Sequence, residues 1–176
     1  MAAVVPAGAT IDSAILTLTV SQTISGDQST SLHRLTKDWG EAGSDAGGQE
    51  GGGIRALAGD ATWANNVVVT SSWATAGGDF VGGASATSLV GATGTTPTWS
   101  GAGMTADVQD WLDNPSQNFG WVLIGNESLQ ASAKRFDSRE GTASPSLVIN
   151  YSPIPEPGSA TLLFLGLAIA GRRRRS

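Results

Sequence analysis

Glycine-centred turn signals recur so densely along this chain that only short extended segments fit between them. They include Ser25-Gly26-Asp27, Gly77-Gly78-Asp79, Gly82-Gly83 and Gly101-Ala102-Gly103, and glycine is the residue that tight turns most often require. Only 14 % of the residues are charged, whereas the exposed faces of amphipathic helices are rich in charged side chains. We therefore predict an all-β domain, built as a jelly-roll-like β-sandwich.

Residues 14–20 show the alternation of apolar and polar side chains that is typical of a half-buried strand. The residues predicted to face the core are Ala14, Leu16, Leu18 and Val20, and those predicted to face outward are Ile15, Thr17 and Thr19. Further strands are predicted at residues 31–36, 66–70, 87–90, 98–99, 120–125, 134–138 and 146–151, and around Phe80. The segment 120–125 is the best candidate for a buried strand, because its interior is entirely apolar.

One short helix is predicted to interrupt the strands, beginning near Thr105. The Thr105 hydroxyl is a suitable N-cap, and Asp107 lies near the positive end of the helix dipole. An apolar face at helical spacing is formed by Val108, Trp111 and Leu112. Asn114-Pro115 ends the helix, because the residue before a proline disfavours helical backbone angles.

The domain is predicted to end at residue 151, because the next segment is rich in proline. Pro153, Pro155 and Pro157 exclude a regular helix or a central strand, so residues 152–159 are predicted to be an extended linker. Residues 160–176 then form an apolar segment that is predicted to be helical and ends in Arg172, Arg173, Arg174 and Arg175.

The apolar segment is short for a permanent membrane span. As a helix, residues 158–171 would extend about 21 Å, against a hydrocarbon core of about 30 Å. Arginine clusters favour the cytoplasmic side of a membrane, which places residues 1–154 on the opposite side. A C-terminal core or amphipathic helix is the alternative, but the apolar run has no polar face. We therefore predict transient inner-membrane anchorage followed by cleavage.

This tail resembles the PEP-CTERM sorting signal of Gram-negative bacteria. The matching residues are Pro155, Glu156 and Pro157, the apolar run, and Arg172, Arg173, Arg174 and Arg175. The resemblance implies that a membrane protease, exosortase, recognises and removes the tail, and that the mature protein lies at the cell surface or in the extracellular matrix. Proteins with this signal are linked to extracellular polysaccharide and biofilm matrix.

The body of the chain is similar to DNRLRE-domain proteins over residues 1–151. The similarity rests on residues 6–14, Asp38-Trp39-Gly40-Glu41, residues 59–63, Gly77-Gly78-Asp79-Phe80, Val108-Gln109-Asp110-Trp111-Leu112, residues 118–123, 136–140 and 145–147. It implies a sandwich related to carbohydrate-binding modules, some of which bind acidic polysaccharides. Domains of this family usually have opening strands before the Pro6-Ala7-Gly8 turn, and residues 1–8 do not have the composition of a signal peptide. We therefore expect a truncated start and an uncovered sheet edge.

The six tryptophans and three cationic side chains are the candidate glycan contacts. Trp111 and Trp121 are predicted to lie in the core, whereas Trp39, Trp63, Trp73 and Trp99 flank turns, where an exposed indole can stack on a sugar ring. Core packing is the alternative for each of the four. Lys134, Arg135 and Arg139 can pair with the carboxylates of an acidic glycan or form internal salt bridges with Asp137 or Glu140.

The acidic turns favour a structural calcium ion as the cofactor. Asp38, Glu41, Asp60 and Asp79 lie beside Gly or Trp in turns and offer the hard oxygen ligands that calcium prefers, although solvated carboxylates are the alternative. The chain has no cysteine and a single histidine, His33, which is predicted on the outer face of its strand. The sequence contains no assembled set of nucleophile and base, so catalysis is not expected.

Charge argues against nucleic acid as a partner. Outside residues 155–176 the chain holds 6 basic and 14 acidic residues, and an acidic body repels a phosphate backbone. The leading hypothesis is an exported, non-catalytic protein that binds extracellular polysaccharide. The alternatives are a structural or adhesive surface protein without affinity for glycans, and an enzyme such as a lyase or glycosidase.

Overall fold

Short strands and one helix alternate with turns along the computed structural model, which describes residues 5–46 and 53–154. The elements are β1 Thr10–Thr17, β2 Val20–Gln22, β3 Gln28–Arg34, β4 Ala86–Val90, β5 Thr98–Ser100, α1 Ala102–Asp113, a single 3-10 turn Pro115–Gln117, β6 Trp121–Ile124, β7 Arg135–Phe136 and β8 Ser146–Ser152. The prediction of an all-β sandwich with one short helix is confirmed. The C-terminal apolar helix that the sequence predicts lies outside the described residues.

Two three-stranded antiparallel sheets form the layers of the sandwich. One has the order β5-β1-β8 and the other the order β4-β3-β6, while β2 and β7 form a separate pair. Ala14 lies opposite Ile149 in the first sheet, and Leu32 lies opposite Leu123 in the second. The apolar rows between the layers form the core.

The core contains the inward-facing residues that alternation predicts. Ala14, Leu18 and Val20 are buried, and Leu16 packs against them from a partly exposed position. The predicted strand 14–20 is nevertheless divided into β1 and β2. At the break, the amide of Leu18 donates to the Pro97 carbonyl, and the chain changes its hydrogen-bonding partners from one sheet to the next.

The helix begins three residues before the predicted start. Its N-cap is Gly101, and the Thr105 hydroxyl donates to the Gly101 carbonyl within the first turn instead of capping. The Gly101-Ala102-Gly103 sequence, predicted as a turn, therefore starts the helix. A side chain at Gly103 would place its Cβ 2.4 Å from the Ser85 carbonyl oxygen, so this glycine allows a close approach of the two backbones. The predicted apolar face of Val108, Trp111 and Leu112 is buried.

The predicted strand at residues 66–70 is wrong. This segment is a tight turn in which Val67 and Ser71 form an isolated bridge. Val69 at its tip has a φ of 75°, a conformation that the regular strand pattern does not contain. Phe80 forms only an isolated bridge with Leu35.

Strand β8 lies at the edge of its sheet, where it pairs with β1 alone among the described residues. Its exposed side chains include Leu147 and Val148. No helix within residues 5–46 and 53–154 combines the length and the apolar character that crossing a bilayer requires.

Candidate functional site

The tryptophans that the sequence predicts at the surface divide into exposed and buried groups. Trp39 and Trp63 are 42 % and 67 % exposed, and Trp73 is half-buried, with its indole N–H donating to the Thr62 carbonyl at 2.9 Å. The prediction for Trp99 is wrong. Its ring is fully buried because it points from β5 between the two layers, where its N–H donates to the Thr30 carbonyl at 3.0 Å.

The indole of Trp63 packs against the turn at Gly77. A Cβ atom on Gly77, whose φ is 96°, would lie 2.7 Å from the six-membered ring of Trp63, and the amide of Gly77 donates to the Trp63 carbonyl at 2.7 Å. One part of the indole is therefore covered by the turn, while the rest of the ring is available to solvent.

Trp39 is exposed but firmly held. Its indole N–H donates to the Phe119 carbonyl at 2.9 Å. Asn66, which is 5 % exposed, fixes the backbone on both sides of Trp39. Its side-chain NH2 group donates to the Asp38 carbonyl at 2.9 Å. Its main-chain carbonyl accepts from the Gly40 amide at 2.8 Å. An exposed aromatic ring with a fixed backbone is preorganised for contact with a ligand.

Gly40 allows this arrangement because its segment approaches a neighbouring loop very closely. A Cβ atom on Gly40 would lie 1.8 Å from the Gly59 carbonyl oxygen, and the Gly40 carbonyl accepts from the Ala61 amide at 2.8 Å. Any larger residue at this position would push the two loops apart and displace the indole of Trp39.

Trp39 lines a surface groove of about 620 Å³, hereafter the Trp39 groove. Its other wall is formed by the turn after β7, and its ionisable lining residues are Glu41, Asp45, Asp60, Arg139 and Glu140. Three residues of the predicted glycan and calcium sets besides Trp39 are thus brought together here, namely Glu41, Asp60 and Arg139. Asp45 and Glu140 were missed as site residues, as was Asn66 behind the tryptophan, because nothing in their sequence neighbourhoods indicates that the loops meet.

Arg139 forms the internal salt bridges that the sequence offered as the alternative to glycan binding. Its guanidinium pairs with Glu140, and it lies 3.2 Å from the carboxylate of Glu41. The hydrogen bond that Arg139 donates to Glu140, together with the charges of Glu140 and Glu41, raises the pKa of Arg139. The same hydrogen bond lowers the pKa of Glu140.

Asp60 connects two loop segments on the acidic side of the groove through hydrogen bonds. Its carboxylate accepts from the Ala42 amide at 2.9 Å and from the Leu57 amide at 2.6 Å. Hydrogen bonds from the Ser44 side chain first, and from these amides, lower the pKa of Asp60 against the opposing effect of burial. The carboxylate therefore stays ionised at neutral pH and organises the loop around it.

Lys134 and Arg135 take part in internal contacts away from the Trp39 groove. The ammonium of Lys134 donates to three carbonyls, those of Ser25, Gly26 and Gly91, at distances from 2.7 to 3.3 Å. An ammonium has three N–H donors, so these contacts favour an internal role for Lys134 over the predicted glycan contact. The Nε of Arg135 donates to the Ser21 hydroxyl at 2.9 Å.

The four predicted calcium ligands do not converge on one position. Asp79 accepts from the Ala74 and Thr75 amides, which lower its pKa, and its carboxylate lies 3.9 Å from Lys37. The carboxylates of Asp60 and Glu41 are engaged as described above, and Asp38 accepts from the Trp39 amide. Within the described part of the chain, no group of three His, Cys, Asp or Glu side chains is arranged to hold a metal ion. These residues therefore do not fit a calcium site.

His33 is not on an open outer face. It points away from the core, but the chain around Phe80 and Val81 covers it, so that it is only 8 % exposed. Its Nδ1 lies 2.9 Å from the Val81 carbonyl and its Nε2 lies 3.0 Å from the Ser31 hydroxyl. Both ring nitrogens thus have partners inside the protein.

The C-terminal segment is the part of the chain for which comparison with known proteins finds a match. Residues 153–175 match the family model of the PEP-CTERM protein-sorting motif, whereas no curated protein and no solved structure matches the chain. The chain is therefore a secreted precursor that transits a membrane and is sorted to the cell surface. The PEP-CTERM motif implies processing by exosortase, the membrane enzyme that acts on proteins with this motif. The match lies outside residues 1–151, so the resemblance of that part to DNRLRE-domain proteins gains no support from it.

Proposed function

We propose that this exported protein binds extracellular polysaccharide through the Trp39 groove and catalyses no reaction there. The observation that carries the proposal is the state of Trp39, which is 42 % exposed while its indole N–H and the backbone on either side of it are hydrogen-bonded. Because the indole N–H already donates to the Phe119 carbonyl, a ligand would contact the face of the ring instead. An indole face packs well on the C–H face of a sugar ring, since both surfaces are apolar.

The chemistry of the groove supports binding without catalysis. A glycosidase of the usual kind needs one carboxylic acid whose pKa is raised so that it can donate a proton. The pKa shifts within the groove run in the opposite direction, because Asp60 and Glu140 are both held ionised by hydrogen bonds. Glu41 forms an ion pair with Arg139 at 3.2 Å. The groove is suited to holding a polar ligand in a fixed electrostatic environment.

Replacement of the Trp39 ring tests the proposal directly. We expect Trp39→Ala to weaken retardation of the protein in affinity gels that contain a binding polysaccharide, because loss of an aromatic contact costs about 0.5–1.5 kcal/mol beyond the buried area, up to roughly tenfold in affinity. Trp39→Phe keeps a ring without the N–H and should retain part of the binding. Trp63→Ala removes another exposed indole and serves as the matched control.

The alternative is a structural or adhesive surface protein with no affinity for glycans. The exposed apolar edge of β8, where Val148 is 50 % exposed, favours contacts between proteins rather than with sugars. If a panel of neutral, acidic and amino-group-bearing polysaccharides causes no retardation of the wild-type domain, the alternative replaces the glycan proposal. Release of reducing or unsaturated sugar ends during incubation would instead establish catalysis.

A further inference from the structure

The Trp39 groove is strongly negative. Four of its lining residues are carboxylates and one is a guanidinium. The single cation, Arg139, is already paired with Glu41 and Glu140, so it does not offer a free positive charge to a ligand. Glu41, Asp45 and Glu140 are exposed to solvent, and their charges therefore act on whatever enters the groove.

These charges persist at neutral pH. The pKa of Asp60 and that of Glu140 lie below their ordinary values because of hydrogen bonds to the charged forms. Lys134 does not compensate, because its ammonium donates to three backbone carbonyls outside the groove. A polysaccharide that carries carboxylates or sulfates would meet like charge along its whole path.

We propose that the Trp39 groove selects a polysaccharide with protonated amino groups, such as a polymer of deacetylated hexosamine. An ammonium on the sugar ring is attracted both to the exposed carboxylates and to the face of Trp39, since indole is the aromatic ring that binds cations best. This inference rests on the proposed function, and it reverses the acidic ligand that the DNRLRE resemblance implies.

The position of Trp39 is the second feature that favours a cationic sugar. The ring is fixed by the Phe119 carbonyl and by Asn66, so it faces the groove without a reorganisation cost. A fixed aromatic face beside carboxylates combines stacking on the sugar with attraction of the amino group. A neutral glycan would use the first of these contacts and gain nothing from the second.

Matched oligosaccharides test the inference by calorimetric titration of the domain at low salt. The set consists of a glucosamine hexamer, its N-acetylated counterpart, a neutral glucose hexamer and a uronic acid hexamer. We expect the glucosamine hexamer to bind at least about tenfold more tightly than the N-acetylated one, because acetylation removes the charge. This advantage should fall steeply when the salt concentration is raised.

Charge variants localise the effect. Asp45→Asn removes one exposed carboxylate of the groove and should weaken binding of the glucosamine hexamer about threefold or more, while binding of the neutral hexamer stays the same. Glu127→Gln removes one exposed carboxylate outside the groove and is the control.

The outcomes separate the two proposals. Equal affinity for the amino and N-acetyl hexamers, or tighter binding of the uronic acid hexamer, overturns the amino-sugar inference and leaves glycan binding intact. Failure of all four ligands, together with no retardation by any polysaccharide, overturns both. Loss of amino-hexamer binding in Glu127→Gln to the same extent as in Asp45→Asn would show that net charge, and not the groove, is responsible.

Discussion

Asp60 illustrates how single side chains decide the shape of the candidate site. The residue is 7 % exposed, yet its carboxylate is ionised, because amide N–H groups from two different loop positions point at it. The same carboxylate was predicted from the sequence as a metal ligand. The sequence identified Asp60 as a candidate, but its partners are the Ser44 side chain and the amides of Ala42 and Leu57. No sequence pattern encodes which loop groups a carboxylate will meet.

The lowered pKa of Asp60 predicts how stability depends on pH. The pKa in the folded state lies below the unfolded value of about 4, so the residue stabilises the fold above that pH and loses its effect as pH falls through the lower folded value. We expect Asp60→Asn to have a lower Tm than the wild type at pH 7. The difference should shrink as the pH is lowered from about 4 to 2.5, and thermal unfolding followed by circular dichroism measures it.

A constant difference in Tm between the two proteins from pH 7 to pH 2.5 would contradict this assignment. Asp12→Asn serves as the control, because Asp12 is an exposed residue that accepts from the Ser152 hydroxyl. Its effect on Tm should be small over the whole range.

At the level of elements, two carboxylates connect α1 to the second sheet, namely Asp107 and Asp110, which pairs with Arg34. Asp107 on α1 accepts from the Trp121 indole of β6 at 2.7 Å and from the Ser85 hydroxyl at 2.5 Å, and it lies 3.6 Å from Arg34 of β3. The sequence had placed Asp107 near the helix dipole. The structure gives it a larger role, because its side chain is 14 % exposed and joins three separate segments.

Removal of the Asp107 carboxylate should loosen the helix from the sheet. We expect Asp107→Ala to lower the free energy of unfolding by about 1–3 kcal/mol, since it leaves the indole N–H of Trp121 without its hydrogen-bond partner. Arg34 keeps its ion pair with Asp110 in this variant. Urea denaturation of the domain measures the change. Asp113→Ala on the exposed side of the same helix is the control and should cost less than about 1 kcal/mol. Equal losses in the two variants would show that the cost arises from the helix itself.

Elements differed in how well the sequence predicted them. Alternation predicted the strand at residues 14–20, which overlaps β1, because one buried face imposes a period of two on the side chains. The helix start was misplaced because Gly101 and Gly103 normally signal a turn, whereas here Gly103 permits contact with the Ser85 backbone. Trp99 was placed at the surface because it flanks a turn, and only the packing of the two layers shows that it points inward.

For the whole molecule, the sorting motif and the β-sandwich occupy separate parts of the chain. The match at residues 153–175 begins directly after β8, which ends at Ser152, so cleavage at the tail need not disturb the strands. The residues that line the groove all lie before the matched segment. Glycan binding, if it occurs as proposed, is therefore a property of the mature protein and is independent of the tail.

Substitution in the sorting motif tests the link between the two parts. We expect a variant with Pro155→Ala, Glu156→Ala and Pro157→Ala to keep its C-terminal tag and remain with the membrane fraction, because exosortase recognises this segment. The wild-type protein, expressed in the same native cells, should lose the tag and appear at the surface. Immunoblots of cell fractions with antibodies to the domain and to the tag measure both forms.

Ser152→Ala, just before the matched residues, is the control and should be processed normally. Equal release of the triple variant and the wild type would remove exosortase from the pathway. A wild-type domain that stays uncut in the cytosol, protected from added protease, would go further. It would place the Trp39 groove where no extracellular polysaccharide can reach it, and the glycan proposal would fall together with the sorting route.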